Sequence, residues 1–406
     1  MSWFRLTIHS LLNRKLPSAL LIISIALSGM LLIGVQKIKD SAKQGFSHSI
    51  SGTDLIVGAR SGSIQLLLYT VFRQGQPIAN MSWDSIQNIQ QLPTVEWVIP
   101  ISLGDSHRGF PVVGTTRTYF DHYKYGKKQP LSIQKGTKFN APLTAVIGAN
   151  VAKKLRYKIN SKIQLAHGMG VQNLPIHKNN TFTIVGILEP TGTPVDNSIH
   201  IPLEGITKLH LPASQSKSKV DLTPQSVTGA FIGLTSNVAI FSTQRTITQW
   251  QKEPLMAIIP GIALSQLWRN ISNVDTAFFI ITILVVVIAF IGLLLGLFMS
   301  INQRSREISI LRVMGAHPIQ IAAMLITEAF VITVSGVIIG GILSFGLGQA
   351  LSPIIEARTG LILTINQPST TEISLAIGII LFGALISLIP AILAYKKSKT
   401  GGFISL

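Results

Sequence analysis

Four stretches of this chain, 16–36, 276–303, 329–355 and 373–395, contain no Asp, Glu, Lys or Arg. Each reaches or exceeds the roughly 20 apolar residues that a helix needs to cross a bilayer. The mean hydropathy of +0.46 and the charged fraction of 12% agree, because soluble domains carry about 25% charged residues. The first window is not read as a secretory signal. Its apolar core runs from Leu16 to Val35, longer than the usual 7–15 residues, and no small-residue cleavage pattern follows it. The pattern predicts uncleaved transmembrane helices over 16–36, 276–301, 318–351 and 373–395.

The remaining charges set a topology. Arg5, Arg14 and Lys15 precede the first span, Arg304, Arg306 and Arg312 lie between the second and third, and Lys396, Lys397 and Lys399 follow the fourth. Arg358 is the only basic residue in the loop before the fourth span. The positive-inside rule puts both termini and the 302–317 segment in the cytoplasm, and 37–275 and 352–372 outside. Residues 1–15, with Trp3, Phe4 and Leu6 among basic side chains, suit a cytoplasmic interfacial segment. Residues 396–406 form the tail.

The outer segment reads as folded. In "NMSWDSIQNIQQL" Ser82 is an N-cap, Asp84 lies in the first turn, and Ile86, Ile89 and Leu92 share a face. "VEWVIPI", "TFTIVGIL" and "VTGAFIGL" are strands, and "AVIGANVAKKLRYK" a strand turning into a helix. The polar 211–226 stretch is a loop or the join between subdomains. The fold expected is therefore an α-helical membrane protein of four transmembrane helices, with a large α+β external domain inserted between the first and second. That segment carries 24 Lys+Arg against 12 Asp+Glu, much of the chain's +18 excess. This is a solvated face or an attraction to anionic lipid, glycan or an acidic partner.

Small residues recur every four positions. Gly292, Gly296 and Ser300 do so in the second span, Gly336, Gly340, Ser344 and Gly348 in the third, and Gly383, Ser387 and Ala391 in the fourth. Such stripes let helices approach closely, in a tight bundle or a homodimer seam. Glu328, the one acidic residue of the third span, continues the Gly336 ridge. It is expected to contact another helix, as a wet interfacial carboxylate if the span's first turns leave the bilayer.

Between the second and third spans, "NQRSREISILRVMGAHPIQ" concentrates charge: Arg304, Arg306, Glu307 and Arg312. Ile308, Ile310, Leu311 and Met314 fall on an arc of about 160° at helical spacing. Arg304 can pair with Glu307 one turn on. Gly315 suits a helix C-cap, and Pro318 suits the start of the next helix. The sequence thus specifies a short helix, a corner and a new helix, which suits docking into a partner's groove.

This stretch closely resembles the segment that follows the second membrane helix in the MacB/FtsX-like permeases of ABC transporters. "SLLNRKLPSALLIISIALSG", "DLIVGARSGSIQLLLYTVF" and "FTIVGILEPTGTPVDNSIHIPLEGI" resemble a proteobacterial branch of that family. The resemblance implies an inner-membrane permease, with Arg304 to Ala316 as a coupling helix that touches an ATPase. It implies two external subdomains, one porter-like and one β-rich. Because the chain has no G-x-x-x-x-G-K-[ST] loop, it implies a separate cytoplasmic ABC ATPase subunit that holds ATP and Mg, and no cofactor bound here. It further implies a second permease copy, contact with membrane lipid and no nucleic acid, and it admits a periplasmic adaptor or cargo protein. Export or extraction of a lipoprotein, peptide, lipid or toxic compound is the function expected. An FtsX-like relay that switches a periplasmic enzyme is the alternative.

Other chemistry is not signalled. There are no cysteines, hence no disulfides or thiolate sites. His107, His122, His167, His177, His200 and His210 form no H-E-x-x-H, so no metal ligands are assigned. Asp196 sits in a turn-rich stretch, and no G-x-S-x-G elbow is present. No catalytic residue is named, and the substrate is left open.

Overall fold

The computed structural model describes Leu11 and residues 13–168, 176–210, 221–359 and 368–399. Its helices are α1 (Lys15–His48), α2 (Ser63–Thr70), α3 (Trp83–Gln90), α4 (Thr118–His122), α5 (Ala149–Leu155), α6 (Leu203–His210), α7 (Ile240–Thr248), α8 (Pro260–Gln303), α9 (Ser305–Val313), α10 (Pro318–Thr359) and α11 (Thr370–Lys399). The principal strands are β1 (Leu55–Ala59), β2 (Val95–His107), β3 (Phe110–Thr115), β4 (Ile133–Gly136), β5 (Thr144–Ile147), β6 (Lys162–His167), β7 (Ile176–Leu188), β8 (Ile199–Pro202), β9 (Gly229–Leu234) and β10 (Leu255–Ile258). They form two compact units, one built on the four long apolar helices and one on the domain inserted after the first of them.

In the inserted domain, successive apolar side chains along each strand go to opposite sides of one sheet. Leu55 and Val57 of β1 join one cluster and Ile56 another; Ala230 and Ile232 of β9 likewise oppose Phe231. Both faces are therefore covered. The strand order is β10-β1-β9-β2-β3-β8-β5-β7-β4, with β6 beside β7 and β2. β8 runs parallel to β3 and β7 parallel to β5; the other pairs are antiparallel. One face carries a single aromatic-rich core that includes Tyr69, Phe72, Ile99, Phe120, Val146 and Phe231. The other face divides into a cluster around Ile86, Ile89 and Ile247 and one around Val151, Phe182 and Leu209. The inserted domain is thus built on one hydrogen-bonded, ten-stranded sheet.

Local signals explain the helices. Ser82 caps α3 by accepting from the Ser85 amide at 3.3 Å, and Ile86 and Ile89 are buried beneath it. The turn at Asp196 is held by its own carboxylate, which accepts from the Thr191 amide at 2.8 Å and the Gly192 amide at 2.8 Å. Residues 211–220 of the expected loop lie outside the described residues.

Among the described residues, four helices are long and apolar enough to cross a membrane, over Lys15–His48, Val274–Gln303, Pro318–Ile354 and Thr370–Lys396. Their outward faces stay apolar: Ile281, Leu295, Ile342 and Leu385 are each more than half exposed. Water would penalise such surfaces; lipid does not. The protein is a multi-pass membrane protein. Its helices are longer than the charge-free windows, with 34 residues in α1 and 44 in α8.

Small residues decide the packing of this unit. A Cβ on Gly340 would stand 2.6 Å from the Ala26 carbonyl oxygen, and one on Gly336 would stand 2.7 Å from Ile25. A Cβ on Gly34 would meet Ser344 Oγ at 3.7 Å. The third-span ridge therefore runs along α1. Gly296 faces Leu21 of α1, and Gly383 of α11 faces Thr333 of α10. Gly296, Gly336, Gly340 and Gly383 are thus spent on contacts inside one chain. Gly292 has nothing near it, and Gly348 is half-buried. Toward one end of the bundle Lys37 pairs with Glu372 at 3.8 Å and Lys39 with Asp275 at 2.9 Å.

Candidate functional site: the helical step between the second and third spans

The step begins where α8 ends. Arg304 interrupts the regular helix for one residue, yet its amide still reaches the Ser300 carbonyl at 3.1 Å, and Ile308 bonds back to Arg304 at 2.9 Å. The chain turns without losing backbone hydrogen bonds. At the far end Gly315 adopts φ +95°, the left-handed region that an L side chain enters only at a cost. Ala316 N–H bonds to the Leu311 carbonyl at 2.9 Å, the six-to-one closure of a Schellman motif. The His317 amide donates to Gln320 Oε1 at 2.8 Å, half of a capping box, and Pro318 follows at the first helical position. Both ends of α9 are thereby fixed.

Packing then splits the apolar arc predicted from the sequence. Ile308 is 5% exposed and packs with Ile301, Ile321, Leu325, Ala391 and Ala394, the ends of α8, α10 and α11. Leu311 is half-buried. Ile310 and Met314 point the other way, 58% and 71% exposed. With Arg306 they form an i, i+4, i+8 ridge to which Val313, 87% exposed, is added. Val313 was missed. Its signal was there, since it lies three residues from Ile310 on the same side.

The charges divide in the same way. Arg304 is buried; its Nε donates to Glu307 Oε2 at 2.8 Å, and its Nη1 lies 3.6 Å from Glu328 Oε2. Glu328 is buried on α10, not the wet carboxylate that was expected, and Arg304 supplies its counter-charge. Arg14 Nη2 donates to the Ser300 carbonyl at 3.4 Å, tying the start of α1 to the same corner. Arg306 and Glu307 are exposed. Arg312 lies within α9, and its side chain is outside the described ones. The result is a rigid helix with one face bolted to the bundle and one apolar, positively edged face presented outward.

The histidines of the inserted domain diverge in role. His200 is fully buried, His107 sits between the Gln164 carbonyl and Tyr157 Oη, and His122 stacks on Trp97. His167 and His210 come together, their ring centroids 4.8 Å apart. The side chain of His177 is outside the described ones.

Residues 279–401 match the family model of the FtsX-like permease C-terminal region, and residues 18–250, more than half of the chain, match that of the MacB-like periplasmic core domain. The chain belongs to the MacB/FtsX-like family of ABC-transporter permeases. Its relatives include the pyoverdine export ATP-binding/permease protein PvdT of Pseudomonas savastanoi pv. phaseolicola, 23% identical over 68% of this chain. The match spans only 42% of that relative's length. Among solved structures, the periplasmic region of MacB from Actinobacillus actinomycetemcomitans aligns with 55% of this chain and 95% of its own, at 10% identity and a TM-score of 0.36. The extracellular domain of the Gram-positive transporter YknZ aligns with 51% and 99%, at 14% identity and a TM-score of 0.32.

Proposed function

We propose that this MacB/FtsX-like permease is a mechanical relay from ATP to the far side of a bacterial inner membrane, with both termini cytoplasmic. A separate cytoplasmic ATPase, holding ATP and Mg, grips the outward ridge of α9. Its closing movement turns α9 together with the bundle, because the inner face cannot slide independently. The inserted domain, periplasmic in this reading, moves in response. α1 and α8 suit that task as continuous helices; 44 residues give α8 a length of about 66 Å. The movement serves export or extraction of a lipoprotein, peptide, lipid or toxic compound. Four spans are few for a conduit, so a second permease copy works beside this one.

The observation that carries the reading is the two-faced character of α9. Ile308 and Arg304 are buried in the bundle, while Ile310, Val313 and Met314 stand in the open beside Arg306. A loop that merely returned the chain would not need exposed apolar groups on a helix fixed at both ends. Amphipathic helices of this kind dock in grooves through anchors at i and i+4. The test is co-reconstitution with the cognate ATPase and measurement of stimulated ATP hydrolysis. Ile310→Asp/Met314→Asp is expected to reduce stimulation at least tenfold while leaving the unfolding midpoint unchanged. Full stimulation by that variant would overturn the assignment.

A further inference from the structure

Three donor groups that the sequence scatters converge on the inserted domain. Asp105 lies on β2 and His167 at the end of β6, and the ladder pairs the two residues directly. Cross-strand partners project from the same side of a sheet, and His167 Nδ1 lies 3.1 Å from Asp105 Oδ1. His210 arrives from the last turn of α6. One donor atom from each of the three can be chosen so that all lie within 4.8 Å of one another. Asp105 is 4% exposed, His167 partly exposed and His210 exposed. The carboxylate is thus fixed in the fold, and both imidazoles can be reached from solvent.

We propose that Asp105, His167 and His210 form a binding site for a divalent first-row transition ion, zinc foremost. Two imidazoles and one carboxylate suit zinc, with water completing a tetrahedron. Calcium and magnesium favour all-oxygen shells instead. Ligand atoms about 2.0–2.1 Å from zinc stand roughly 3.3 Å apart. The Asp105–His167 pair already has that separation, so His210 has to approach by about 1.5 Å, within the reach of a side-chain rotation at a helix end. His210 Nδ1 lies 2.9 Å from the Ile206 carbonyl. As a donor there it leaves the lone pair on Nε2, the orientation that a backbone carbonyl imposes on metal-bound histidines. The ion staples α6 to β2 and β6.

The test uses the full-length protein in detergent, stripped with a chelator and titrated with Zn²⁺ by calorimetry and with Co²⁺ by visible absorption. One saturable ion per chain is expected, with the intense visible bands of four-coordinate cobalt. His167→Ala and His210→Ala are each expected to weaken binding by at least about tenfold. Both side chains are solvent-accessible, so these variants should fold. His122→Ala, whose ring stacks on Trp97, is expected to bind as the parent does. Absence of saturable binding, or affinity unchanged in both histidine variants, would overturn the site, as would an equal loss in His122→Ala.

Discussion

Arg304 Nη1 and Glu328 Oε2 stand 3.6 Å apart, and neither residue is more than 7% exposed. Taking two charges out of water is costly, and each becomes the condition for burying the other. Arg304→Met is therefore expected to destabilise the protein by about 3 kcal/mol, because it strands a buried carboxylate. The double variant Arg304→Met/Glu328→Leu should recover most of that loss, since an apolar pair of similar volume packs without desolvation. Glu307→Ala removes only the exposed partner of Arg304, since the Glu307 side chain is 66% exposed, and should cost under about 1 kcal/mol. Denaturation of the detergent-solubilised chain measures all three. A double variant no better than Arg304→Met would show that the two residues are not coupled.

The glycines of the spans separate into those that seat a neighbour and those that do not. Alanine at 340 would place a Cβ 2.6 Å from the Ala26 carbonyl oxygen and 3.2 Å from the Met30 amide nitrogen. Both are backbone atoms, so α1 and α10 must part. Gly340→Ala is expected to cost about 1–3 kcal/mol. Gly292→Ala meets nothing within 4 Å and should be neutral or gain up to about 1 kcal/mol from helix propensity. Thermal unfolding ranks the pair, and equal midpoints would refute the α1–α10 contact.

Gly315 gives a different kind of glycine test. Its φ of +95° and the open space around it mean that a substitution meets strain but no clash. Gly315→Ala should cost about 1–2 kcal/mol, all of it conformational. Gly315→Asn should cost less, because asparagine enters the left-handed region more readily. If the corner sets the direction of α9, stimulation of the ATPase falls further in the alanine variant than in the asparagine one. Reconstituted ATPase assays with both variants would reverse that conclusion if their order were inverted.

Signals confined to a few neighbouring residues were legible. The charge-free windows gave the spans, Ser82 gave the start of α3, and Gly315 with Pro318 gave the corner. What sequence could not supply was which of two available partners a face meets. Periodicity put Ile308, Ile310, Leu311 and Met314 on one broad arc, but only the ends of α8, α10 and α11 decide that Ile308 goes inward. The small-residue stripes fitted a bundle or a dimer equally well until α1 was seen lying against Gly336 and Gly340. Asp105, His167 and His210 span more than a hundred residues, and a sheet in which β6 bridges β2 and β7 brings them together. Strand pairing at that separation leaves no periodic trace.

His200 carries the pH dependence that the inserted domain builds into its core. Its ring is fully buried, 4.9 Å from that of Tyr119 and 6.1 Å from that of Phe120. Burial, with the positive charge of Arg73 nearby, pushes its pKa down from the ordinary 6.5 to about 3. The folded state therefore holds the imidazole neutral, while the unfolded chain takes up a proton below about pH 6.5. Because the unfolded state binds more protons between those values, the stability due to this group is complete above pH 6.5 and is lost as pH falls toward 3. At pH 5 the loss should be about 2 kcal/mol. His200→Phe removes the titration and keeps an aromatic ring against Tyr119, so its stability should fall by about 2 kcal/mol less between pH 7.5 and pH 5. Denaturant titrations of both proteins at the two pH values, followed by tryptophan fluorescence, supply the comparison. Parallel losses in parent and variant would mean that the folded state protonates His200 as easily as the unfolded chain does, and the buried neutral imidazole would have to be abandoned.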